Sequence, residues 1–100
     1  MTQRRTGTST DQAEAVGIAA LGFLAAEPER LDRFLALAGL DVGSIRSAAR
    51  DPGFLAAVLD HLMADEPLLL AFAANEGLKP EVVVRAAHAL GGGPWERDSA

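Results

Sequence analysis

The chain has no cysteine. Disulfides and thiolate metal sites are therefore excluded, and the composition suits a reducing compartment, so a cytoplasmic protein is expected. Tyrosine is absent and isoleucine scarce, while alanine and leucine dominate, a balance that favours helices over strands. Missing too are a glycine-rich phosphate loop of either standard spacing, a nucleophile elbow and a cysteine nucleophile. The run "GGGPW" has no helix after it with which to cradle a phosphate. No apolar stretch is long enough for a membrane: Ala15 to Ala26 falls short of the roughly twenty residues a spanning helix needs. The opening "MTQRRTGTSTDQ" carries two arginines but no apolar segment behind them, so no secretory signal is read. Positive charge is in deficit, nine Lys and Arg against fourteen Asp and Glu, for a net charge of -5. An acidic surface of this kind disfavours nucleic acid and anionic membranes unless its cations are clustered.

What is present is enough for one core. One hundred residues, 49% hydrophobic and 23% charged, make a single globular domain. Residues 1–8 are polar and aperiodic and read as a disordered arm. "STDQ" then offers a capping box, with Ser9 and Gln12 as the reciprocal pair, and starts a helix that runs to about Ala26. That helix is apolar nearly all round and calls for cover on most sides, with Gly17 and Gly22 permitting close approach. Pro28 opens a second helix with Leu31, Phe34, Leu35 and Ala38 as one stripe and Glu29, Arg30, Asp32 and Arg33 turned to water. Gly39 stops it and Leu40 folds back on Leu35, as in a Schellman motif. Asp41 caps a short helix ending near Arg50, and Asp51-Pro52 starts the next, whose apolar set is Phe54, Leu55, Val58, Leu59, Leu62 and Met63. Asp65-Glu66-Pro67 opens "LLLAFAANE", apolar on every side, which Gly77-Leu78 ends. Pro80 begins a last helix with Val82, Val83, Ala86, Ala87 and Leu90 as its buried set, stopped by Gly91.

These signals predict an all-α fold: one domain over residues 9–91, five or six short helices packed as hairpins, with residues 68–74 at the centre. Residues 92–100 read as a flexible tail holding Trp95, the sole tryptophan. Residues 27–50 and 66–90 repeat the same order of punctuation, Glu-Pro, an apolar helix, Gly-Leu and a second helix. An internal duplication or convergent use of the same caps explains this equally well.

Three kinds of chemistry fit the pattern to different degrees. "LAGLDVGSIRSAARDP" has the helix, glycine turn and helix of a DNA-reading corner, with Ile45, Ala48 and Ala49 inward and Ser44, Arg46, Ser47 and Arg50 outward. Asp41 and Asp51 flank that surface, and it holds no Asn or Gln to pair with adenine, so a plain helical corner is favoured. The second copy offers Lys79, Arg85 and His88 but adds Glu76 and Glu81. His61 and Asp65 stand four residues apart on one helix face, yet a metal needs three or four ligands and His88 is the only other histidine. No catalytic, cofactor or metal residue is assigned. An interaction role has broader support, because two helices demand cover and Trp95 is a candidate partner anchor.

Taken whole, "FLAAEPERLDRFLALAGLDVGSIRSAARDPGFLAAVLDHLMADEPLLLAFAANEGLKPEVVVRAAHALGGG" resembles a small bacterial family known only as domain of unknown function 3572. The likeness covers about Ala13 to Gly93 and rests on the order of Pro28, Gly39-Leu40, Asp51-Pro52, Glu66-Pro67 and Gly77-Leu78. It implies a compact helical cytoplasmic protein and brings no activity. The expected function is a non-enzymatic interaction or scaffold module whose partner is another protein or a second copy of the chain. The alternative is a nucleic-acid-binding protein using Arg46 and Arg50.

Overall fold

The computed structural model describes the backbone of residues 3–91 and the side chains of residues 10–91, and over that range it contains helices and turns but no strand. The helices are α1 (Gln3–Ala25), α2 (Pro28–Ala38), α3 (Ile45–Ala48), α4 (Pro52–Met63), α5 (Glu66–Glu76) and α6 (Pro80–Ala89), with a 3₁₀ turn at Val42–Ser44 leading into α3. The predicted all-α domain is what the chain forms.

Local chemistry sets most of the boundaries. Gly39 and Gly77 take up the left-handed backbone, at φ 72° and 68°, which a side chain would oppose. The Leu40 amide then donates to the Leu35 carbonyl at 2.9 Å, and the Leu78 amide to the Ala73 carbonyl at 2.8 Å. Both are the long bond of a Schellman motif. Aspartates open the next elements: Asp41 accepts from the Ser44 amide at 3.1 Å, Asp51 from Gly53 at 2.9 Å and Asp65 from Leu68 at 3.2 Å. Each satisfies a helix-start N–H that has no partner within the helix.

Helix α1 starts at Gln3, ahead of the expected boundary at Ser9. Ser9 and Gln12 therefore lie inside the helix and their capping box does not begin it. No proline interrupts residues 3–9, so the helix anchored by the packed segment continues through them.

The expected centre, residues 68–74, is not the centre. Leu70 is 47% exposed and Ala71 and Ala74 face solvent, so α5 buries only Phe72 and Ala73 fully. The middle position belongs to α4, which packs on α1, α5 and α6 and buries Leu55, Ala56, Val58, Leu59 and Leu62. The reason lies in side-chain size. Alanines at the edge of a fold expose little apolar area, whereas the bulky residues of α4 point in several directions and need neighbours on each.

Helix α1 departs from expectation on the same grounds. It buries Ala13, Ala20 and Leu24, but Ala15, Gly22 and Ala25 are exposed and Ile18 is 50% exposed. Cover on one side suffices. Of its two glycines, Gly17 does permit close approach: a Cβ there would sit 2.8 Å from Leu55 Cβ on α4. Gly22 has no neighbour within 4 Å of such an atom.

Phe34 and Leu35 carry α2 onto the core, while Ala38 of the expected stripe is exposed. Phe34 meets Phe54 edge-on at 5.8 Å between ring centres, and Phe23 of α1 meets Phe72 of α5 at 5.4 Å. In α6 and just past its end, Val83, Ala86, Ala87 and Leu90 are buried and Val82 is half-buried. The tail 92–100, with Trp95, lies outside the described residues.

Candidate functional site

The corner between α2 and α3 presents Arg46 and Arg50 to solvent and turns Ile45, Ala48 and Ala49 partly inward, while Ser44, expected outward, is half-buried. Its second limb is short. Helix α3 has four residues, about one turn and roughly 6 Å of axis, and Arg50 lies beyond its end. A recognition helix in a major groove presents several base-reading side chains along its length, and a single turn does not. One Asp41 oxygen is held by the Ser44 amide and hydroxyl, and this carboxylate stands beside the arginines in sequence. The corner also exposes two large apolar side chains, Leu37 at 73% and Val42 at 63%, on either side of the Gly39 turn.

A second place gathers more chemistry. Three helices meet around a groove of about 340 Å³. Helix α2 contributes Glu29, Arg30 and Arg33, and His61 comes from the last turn of α4. Asp65, the cap of α5, and then Pro67, Leu68 and Ala71 complete it. His61 and Asp65 thus line the same groove, but they do not share one helix face as their spacing suggested, because α4 ends at Met63 and Asp65 caps α5. Arg30 and Arg33, read in the sequence as facing water, join it because Phe34 seats α2 against Phe54 and His61 of α4, a tertiary arrangement that helical periodicity does not contain.

The groove is held at several points. His61 packs edge-on against Phe34, ring centres 5.2 Å apart, and the Arg30 guanidinium lies 4.8 Å from the centre of the Phe23 ring. Partial burial lowers the His61 pKa from its ordinary 6.5; the Asp65 carboxylate opposes that shift and the Arg33 guanidinium adds to it. The imidazole is therefore neutral at pH 7, able to donate one hydrogen bond and accept another. Among the described residues no three His, Asp or Glu side chains are grouped so as to hold a metal ion.

A further shallow groove of about 480 Å³ runs between α1 and α6, walled by Ala13, Val16, Val82 and Ala86 with the exposed Arg85 along it. Among the described residues no helix is long and apolar enough to cross a membrane.

The family model described as Protein of unknown function (DUF3572) matches residues 10–93. The chain belongs to this family. The DUF3572 region takes in both grooves, the α2–α3 corner and every cap described above, and leaves Trp95 outside it. No curated protein and no solved structure matches the chain.

Proposed function

We propose that this DUF3572 protein is a non-enzymatic protein-protein interaction module of the bacterial cytoplasm, with a second copy of itself as the first partner to test. The observation that supports this reading is the α2–α3 corner. Leu37 and Val42 are its most exposed large apolar side chains, and the turn that presents them is fixed by the Gly39 and Asp41 hydrogen bonds. Apolar groups held out on a rigid turn give up little conformational freedom on binding, and so suit a contact surface. The acidic balance and the single-turn α3 make the nucleic-acid reading through Arg46 and Arg50 the weaker one.

Sedimentation velocity over a wide concentration range tests the proposal. Self-association that Leu37→Asp and Val42→Asp abolish, without loss of helicity, is the expected result. A monomer at every concentration, unchanged by either substitution, removes the second copy as partner. Salt-sensitive DNA binding lost in Arg46→Ala would turn the assignment to the alternative.

A further inference from the structure

We propose that the groove between α2 and the α4–α5 junction binds a small zwitterion with an apolar side chain, the chemistry of a free α-amino acid. This goes beyond the interaction surface, since neither Leu37 nor Val42 lines the groove.

Charge balance narrows the ligand first. Arg30 and Arg33 stand in the groove with Glu29 and Asp65, two positive groups against two negative. A simple anion would meet the carboxylates, and a simple cation the guanidinium groups. A molecule carrying both signs a few ångströms apart has a counterpart for each. Arg33 and Asp65 both act on the charge of His61, so groups of opposite sign lie near that ring.

The donors are also placed for use. Arg33, exposed at the groove, has guanidinium N–H edges that a carboxylate can engage, while the Arg30 guanidinium lies over the Phe23 ring beside the groove. One Asp65 oxygen accepts from the Leu68 amide, which fixes the carboxylate and leaves its second oxygen for an ammonium group. His61, neutral and braced by Phe34, adds hydrogen-bonding capacity without tipping the charge balance. Pro67, Leu68 and Ala71 supply an apolar wall beside these groups.

Size sets the last limit. At about 340 Å³ the groove is at the small end of ligand sites, which span roughly 300–1,000 Å³. An amino acid fits that space.

The test is a set of amide chemical-shift titrations of the full chain. The standard α-amino acids are added singly, followed by 4-methylpentanoate and 3-methylbutylamine, which copy leucine without its ammonium or its carboxylate. Saturable shifts at Leu68 to Ala71 and along α2 are expected for at least one amino acid, with each single-charge analogue at least about tenfold weaker. Arg33→Gln should weaken the amino acid and the carboxylate but leave the amine unchanged. Asp65→Asn, which keeps a helix-capping oxygen, should weaken the amino acid and the amine but not the carboxylate. Absence of saturable shifts with every amino acid overturns the proposal, and so does equal binding of the three leucine-like probes. Neither result bears on self-association through Leu37 and Val42, so the two readings fail separately.

Discussion

Two hairpins of this chain begin alike and end differently. In α2 and in α5 a buried phenylalanine, Phe34 or Phe72, sits five residues before a left-handed glycine whose following leucine amide bonds back into the helix. Past the glycine they part. Helix α6 has ten residues and, with Leu90 at its end, brings Val83, Ala86 and Ala87 into the core, whereas the 3₁₀ turn and α3 bring only half-buried Ile45, Ala48 and Ala49. Leu40 and Leu78, next after the glycines, both pack against the core, but Val42, two residues past Leu40, remains in solvent. The shared motif makes the turn. The length and apolar content of the second limb decide whether the corner is structural or left open for contact.

That comparison can be broken in graded ways. The largest effect is expected at the paired phenylalanines, where Phe34→Ala and Phe72→Ala should each cost about 3–5 kcal/mol in urea unfolding. Ile45→Ala, in the weaker limb, should cost clearly less than either, because its site is open to solvent on one side. A loss at Ile45 equal to that at Phe72 would show that the first hairpin is as much part of the core as the second. Gly39→Ala and Gly77→Ala come next, at about 1–2 kcal/mol each, since both force a side chain into the left-handed region. Their costs should agree closely if the turns are equivalent.

A smaller, pH-dependent effect is expected at His61, against which Arg33, Arg30 and Glu29 stand from α2 and Asp65 from the start of α5, with Asp60 beside it on α4. Its folded pKa is lowered, so the unfolded chain takes up the proton more readily. The stability that the neutral ring contributes is present above pH 6.5 and is lost as the pH falls through that value toward the folded pKa. Melting temperatures between about pH 8 and pH 5 should fall less in His61→Gln than in the parent chain. Smallest of all is Leu37→Ser, expected within about 0.5 kcal/mol of the parent in stability. Any loss of association in that variant would then come from the surface and not from the fold.

How much of this is legible in the sequence depends on the range of each interaction. Pro28, Gly39, Asp41, Asp51, Asp65 and Gly77 act within a few residues of themselves, so the boundaries they set can be read directly. The identity of the central helix is a matter of distance. "LLLAFAA" looks more apolar than "FLAAVLDHL", yet the second occupies the middle, because burial is apportioned among helices that meet only after the chain has folded. The start of α1 escapes a local reading for a related reason: Ser9 is a good cap by type, but a helix that is already anchored runs past it. The groove is half legible. The four-residue step from His61 to Asp65 is a local fact, whereas the arrival of Arg30 and Arg33 depends on the packing of Phe34 in α2 against α4.

The contact at Gly17 has a consequence for the molecule as a whole. Leu55 Cβ occupies the space where a side chain on α1 would be, so the two helices fit like a tooth in a notch. Moving α1 along its axis by one turn in either direction would bring Ala13 or Ala20 toward that tooth, and each carries the Cβ that Gly17 lacks. The helix is thereby indexed against the core at one position. Its outer row, Ala15, Ile18 and Gly22, accordingly keeps a constant direction whatever approaches it.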